Sequence, residues 1–202
     1  LTPPFGGRRA QKQAKPGGEP NKLQKGEKSM KTLVVGILLT WILAPLAWGQ
    51  EMTVPMYLLT KEGTGKQIGT VTLKDTRYGL LLLPALSGLK PGIHGFHVHQ
   101  NPDCGPAKES GKMVPGLAAG GHYDPGNTGR HEGPYGEGHL GDLPALPVDG
   151  KGKARLPLLA PRLKLDEVKG HALIIHAGGD NYSDQPKKLG GGGARVACGV
   201  LK

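Results

Sequence analysis

The sequence predicts an all-β domain, an antiparallel sandwich or barrel of about eight strands. Three observations carry that prediction. Short β-branched or Leu-rich runs recur along residues 50–202, Gly, Pro, Asp and Lys bound them, and no helical period of apolar residues competes with them. In half-buried antiparallel strands such runs read apolar toward the core and polar toward water.

In chain order the runs are TVPMYLLT (53–60), KQIGTVTLK (66–74), YGLLLLP (78–84), IHGFHVH (93–99), ARLPLLA (154–160), ALIIHA (172–177) and ARVACGV (194–200). Pro55 lacks an N–H and belongs at an edge or a strand start. Both Trp residues precede residue 50, so the core is predicted to be aliphatic. Residues 100–142 and 178–193 do not read as strand, and loops of that length are uncommon in a compact domain unless functional or disordered. The second ends in LGGGG, where Gly190–Gly193 would let backbone approach a site closely.

The N-terminus reads differently. Residues 30–49, MKTLVVGILLTWILAPLAWG, have the form of a secretory signal peptide: a basic start at Lys31, an apolar run from Leu33 to about Leu43, Pro45, and a small-residue site predicting cleavage after Gly49. The run is short for the roughly 20 residues a transmembrane helix needs. Residues 1–29 hold seven Lys and Arg among Pro, Gly and Gln with no apolar period, and read as a disordered basic leader outside the native protein. A nucleic-acid-binding tail fits badly with export, so no nucleic-acid partner is expected. The leader also inflates the net charge of +10: residues 50–202 carry 18 Lys plus Arg against 14 Asp plus Glu, a net of +4. Cys104 and Cys198 both fall in the exported part, where an oxidising compartment favours a disulfide. Closing a loop of that length stabilises a fold by up to about 4.7 kcal/mol in the chain-entropy picture.

Within GFHVHQNPDC (95–104), strand alternation would send Phe96 and Val98 into the core and His97 and His99 out together. Their Cα atoms would lie roughly 6.6 Å apart, within reach of one metal ion. Alone, the pair could equally be an exposed strand face. The long loop adds His122, His131, His139 and Asp142, and ALIIHA adds His176. Neutral imidazoles suit copper and zinc, and a carboxylate on a tetrahedral N/O site suits zinc. Seven residues exceed one ion's needs, but one shared imidazole would make eight bonds and fill two four-coordinate sites. No HExxH-type helix speaks for a zinc hydrolase.

GFHVHQNPDC, AAGGHYDP (118–125), the run from His131 through GHLGDLP (138–144), IIHAGGDNYSD and GGGGARVACGV occur in this order. As an ordered set they resemble the copper/zinc superoxide dismutases, in detail the periplasmic bacterial branch, over nearly all of residues 50–202. The fold this implies is an eight-stranded antiparallel Greek-key β-barrel, an immunoglobulin-like sandwich, with two long functional loops. Carried over residue by residue, the resemblance implies one copper per subunit on His97, His99, His122 and His176, and one zinc on His122, His131, His139 and Asp142. His122 would be the bridging imidazolate, which the family mechanism releases from copper and protonates on reduction. Asp180 matches the aspartate accepting hydrogen bonds from a copper-ligand and a zinc-ligand histidine. Arg195 matches the arginine that receives the anionic substrate, Cys104 and Cys198 match the family disulfide, and His94 matches a structural histidine. His171 reads as a surface residue. The activity implied is dismutation of superoxide to oxygen and hydrogen peroxide, an antioxidant role in the periplasm, with no membrane attachment after signal cleavage and with monomer and homodimer both open. Lys108, Lys112, Lys187 and Lys188 are either a solvated surface or a positive field that steers superoxide. The competing reading is a non-catalytic copper or zinc buffer, which would have no need of Arg195.

Overall fold

A computed structural model describes residues 50–202; the predicted leader (1–29) and signal peptide (30–49) lie outside the described residues. Strands β1 (Glu51–Thr60), β2 (Gly63–Thr76) and β3 (Gly79–Ser87) form an antiparallel meander. The chain then runs through β4 (Gly92–His94), β5 (Phe96–His99), the small hairpin β6 (Ala107–Glu109) and β7 (Lys112–Val114), β8 (Leu146–Val148), β9 (Lys153–Ala154), β10 (Leu158–Ala160), the four-residue helix α1 (Leu165–Val168), β11 (His171–His176) and β12 (Arg195–Leu201). The last strand returns to the far side of β1, giving the order β12-β1-β2-β3 of a Greek key, with β11 and β5 continuing beyond it.

The sheet closes through two interrupted strands. β4 continues into β5 across Gly95, and β8 pairs with β4 before turning at Asp149–Gly152 into β9, which pairs with β3. With β4–β5 and β9–β10 each taken as one strand, the barrel has eight strands. Sequence reading finds seven of them; the eighth, Leu146–Val148, carries Pro147 at its centre, which demotes it as a strand signal. Pro55 sits inside β1 rather than at its start, but the β1–β12 register holds only at Tyr57 and Leu58, so the strand is paired on one side at Pro55.

The core is aliphatic as predicted: Leu73, Leu80, Leu82, Leu143, Leu165 and Leu173 are fully buried, with Phe96 as the one large aromatic among them. Burying each such side chain contributes about 1.5–3 kcal/mol. Phe96 and Val98 join this core while His97 and His99 take the opposite face of β5. That face is not solvent, because both histidines are buried, 0% and 1% exposed. Isolated bridges from His97 to Asp142 and from His99 to His122 lay the long loop across it.

Candidate metal centre

The disulfide Cys104–Cys198 forms, tying that loop to β12 with a Cα–Cα distance of 5.7 Å. Cys104, Cys198, Ala119, Ala172 and Ile174 pack as a second apolar cluster on this side of the barrel. Arg195, three residues before Cys198, begins the same strand. Its Nη1 donates to the Gly116 carbonyl at 2.5 Å and its Nη2 to the Gly120 carbonyl at 2.6 Å. The guanidinium thus spans from β12 to the loop, with Nε–H and one N–H on each terminal nitrogen left over.

Under the loops, His97, His99, His122 and His176 offer donor atoms that all lie within 4.8 Å of one another. A second group within the same limit is His97, His122, His131 and Asp142. The two groups overlap, and both are buried. His139 falls outside the second group, although sequence reading places it there; its Nδ1 is buried, has no hydrogen-bond partner, and lies 3.4 Å from Asp142 Oδ1.

The outer contacts decide which nitrogen of each ring is free. Carbonyl and carboxylate oxygens only accept, so a ring nitrogen bonded to one carries the proton, and in a neutral imidazole the other nitrogen keeps its lone pair. His99 Nδ1 donates to the Gly120 carbonyl at 2.9 Å and His176 Nδ1 to the Gly193 carbonyl at 3.1 Å. Their Nε2 atoms are left facing each other at 3.3 Å, two acceptors with no proton between them. Asp180 does the same for two rings at once: Oδ2 accepts from His97 Nε2 and Oδ1 from His131 Nε2, both at 2.7 Å. The Nδ1 atoms of His97 and His131 are consequently inward and without hydrogen-bond partners. His131 Nδ1 lies 3.0 Å from Asp142 Oδ2.

His122 is oriented from both ends. Its Nδ1 lies 2.9 Å from Asp142 Oδ1, its Nε2 is buried with no partner, and its ring stacks on His97 at 3.9 Å between centroids. Buried polar atoms are nearly always partnered. Among the described residues the buried side-chain atoms without a partner are His97 Nδ1, His122 Nε2, His131 Nδ1 and His139 Nδ1, all ring nitrogens suited to cations. That donor set fits copper and zinc, which take imidazole nitrogen and carboxylate oxygen.

Glycines let the second loop in. A Cβ on Gly190, whose φ is +70°, would collide with Asp180 and lie 2.8 Å from His131 Nε2, and one on Gly192 would lie 3.2 Å from the His176 ring. The predicted close approach of Gly190–Gly193 is therefore present. Asp184 adds a tie that sequence reading missed, accepting from the backbone N–H of His131 at 2.9 Å and of Leu189 at 3.0 Å. Its place at the end of IIHAGGDNYSD was the available signal. The Gly116, Gly120 and Gly193 carbonyls had none, since any residue carries one. His94, outside both groups, faces the His176 and Lys90 carbonyls at 2.7 Å each. His171 reaches the Gln100 carbonyl at 2.7 Å, and Lys108, Lys112, Lys187 and Lys188 are exposed.

Burial holds His97 and His99 well below the usual histidine range and lowers His122, and it pulls His176 down to about 4. The Arg195 charge pushes His99 and His176 the same way. These rings are neutral at pH 7, as metal ligation requires. For His131 burial works downward, but the close Asp142 carboxylate, the Asp180 hydrogen bond and the charge of both outweigh it and push the ring up to about 9, so in the metal-free protein Nδ1 holds a proton beside Asp142 that a metal ion would displace. Burial raises Asp142, yet His122 and His131 hold it well below the carboxylate range.

These shifts fix how the metal-free protein responds to pH. Unfolded histidines titrate near about 6.5. Below that value the unfolded chain takes up protons that His97, His99, His122 and His176 refuse when folded, so stability falls, for His176 until about pH 4. Asp142 adds to the loss in acid, its contribution fading as pH falls through its lowered folded value. His131 acts oppositely: its contribution is complete below about 6.5 and is lost as pH rises through about 9. Urea midpoints of the metal-free protein should peak near pH 6.5 and decline on both sides; a midpoint still climbing at pH 9 contradicts this.

A closed antiparallel barrel whose loops bury two overlapping imidazole-rich donor groups defines a metalloprotein with paired, adjacent sites. The family model of copper/zinc superoxide dismutase (SODC) matches residues 67–201. Superoxide dismutase (Cu-Zn) 2 of Salmonella typhimurium is 61% identical over 150 residues, 74% of this chain and 87% of that protein. The Escherichia coli K12 enzyme of the same name is 54% identical over 166 residues, 82% and 96% of the two chains. Among solved structures, Cu/Zn superoxide dismutase from Brucella abortus superposes with a TM-score of 0.75 at 53% identity, covering 76% of this chain and all 100% of that one. The chain belongs to the copper/zinc superoxide dismutase family.

Proposed function

We infer that residues 50–202 catalyse dismutation of superoxide to oxygen and hydrogen peroxide, using one copper and one zinc that share His122. The carrying observation is His122 itself, buried, with Nδ1 directed at Asp142 and Nε2 free toward the other histidines. In this reading His97, His99, His122 and His176 would hold copper, and His122, His131, His139 and Asp142 would hold zinc. His97 has a single free nitrogen and completes the first quartet. His139, with a buried unpartnered Nδ1 near Asp142, has no other use for it. When bound, copper supplies one-electron redox chemistry, and zinc, which has none, supplies charge and a tetrahedral template.

The chain's own groups do the rest. Gly120 and Gly193 carbonyls hold the His99 and His176 tautomers, and Asp180 holds those of His97 and His131. His122 Nε2 is placed to hold and return a proton. Arg195, fixed by two carbonyls, presents its remaining N–H groups to an anion. Arg195→Ala is expected to slow turnover by about 10-fold or more and to flatten its dependence on ionic strength, with both metals retained. Superoxide decay measured across a salt series checks this, and a wild-type rate with a wild-type salt slope contradicts the assigned role.

The signal-peptide pattern of residues 30–49 supports cleavage after Gly49 and action in the periplasm, and the bacterial origin of the relatives agrees with it. A related structure from Salmonella enterica, 58% identical with a TM-score of 0.69 over 76% of this chain and 100% of that one, is described as monomeric. For this chain monomer and homodimer both fit the reading.

A further inference from the structure

The loop from His131 to Asp142 contains Gly133, Gly136, Gly138 and Gly141, residues that lose the most conformational freedom on ordering. Something outside it must hold His139 in place. Arg162 lies between β10 and α1, outside both long loops, and is half-buried. Its guanidinium donates Nε–H to the Pro134 carbonyl at 3.3 Å and Nη1–H to the Gly138 carbonyl at 3.1 Å. Nη2 donates to the Gly133 carbonyl at 3.3 Å and to the His139 carbonyl at 2.5 Å. Four of its five N–H groups are thereby spent on one short stretch. None of the ion pairs among the described residues involves Arg162, so its charge is directed to these carbonyls alone.

We propose that Arg162 is the positioning residue of the zinc loop: its carbonyl clamp sets the His139 backbone and so keeps zinc from leaving. This rests on the assignment of His139 to zinc given above. Tyr182 also packs on this stretch, since a Cβ on Gly133 would meet its side chain at 2.7 Å and its hydroxyl accepts from the Ala145 N–H at 3.0 Å. The His139 N–H is held by the Arg130 carbonyl at 2.8 Å, a bond within the loop region, whereas Arg162 ties the loop to the barrel. A planar fork can serve four carbonyls where an ammonium is a single point.

The test uses the metal-loaded protein and follows release of zinc and of copper to chromophoric chelators, with the visible spectrum of a cobalt-for-zinc form as a second readout. Arg162→Met should release zinc about 10- to 100-fold faster and shift the cobalt bands, while copper leaves at the wild-type rate. Arg162→Lys should restore part of the retention. Zinc release at the wild-type rate in Arg162→Met overturns the proposal, as does equal acceleration of both metals, which would mean general loosening. If Arg162→Met does not fold, Arg162→Lys decides: faster zinc release supports the clamp, and a wild-type rate overturns it. A wild-type chain that binds zinc but shows no dismutation overturns the proposed function and leaves this test standing; one that binds no zinc overturns both.

Discussion

Asp180→Asn is expected to weaken copper retention by about 10- to 100-fold and zinc retention by less. The side chain keeps its size but exchanges one oxygen for an NH₂ group. Oδ1 already accepts from two donors, the Tyr182 N–H at 2.8 Å and His131 Nε2 at 2.7 Å, so the amide oxygen stays there. The NH₂ then faces His97 Nε2, which sits 2.7 Å from Oδ2 in the native protein. To accept from it, His97 must move its proton to Nδ1, the one nitrogen it had free for copper. Competition with a chelator for each metal reads the two affinities separately. Wild-type affinity for both metals contradicts the role assigned to Asp180, and a larger loss of zinc contradicts the predicted tautomer.

His122→Ala is expected to cost more, lowering superoxide turnover by about 10²- to 10⁴-fold at neutral pH. The substitution removes a donor from each quartet and the nitrogen proposed to carry a proton. It also removes the ring stacked on His97 and the hydrogen-bond partner of Asp142, leaving that carboxylate with less to hold it. Pulse radiolysis together with metal content measures the effect. A variant with both metals and wild-type turnover shows that nothing is shared at His122.

Much of this was legible in the sequence because it is local. Alternating strands such as GFHVH announce which side chains share a face, and the two cysteines had only each other to pair with. Alternation could not say that the histidine face of β5 is covered, since the covering comes from residues far along the chain. The hairpin β6–β7, three residues in each strand and pairing only with itself, was too short to stand out within residues 100–142. Seven metal-type side chains could be named from the sequence, and six of them fall in the two donor groups, with His139 outside. The carbonyls of Gly120 and Gly193, which choose the free nitrogen of His99 and His176, leave no mark on residue identity. Arg162 was equally hidden, as its partners are backbone atoms at least 23 residues away.

The most direct test of the central claim, two metals joined at His122 for superoxide dismutation, is metal content by mass spectrometry on residues 50–202 with dismutase activity followed through copper removal and return. The expected result is one copper and one zinc per chain, with activity lost with copper and regained on its addition. Tight binding of either metal without copper-dependent turnover contradicts it and leaves a metal-storage protein in which Arg195 serves no substrate.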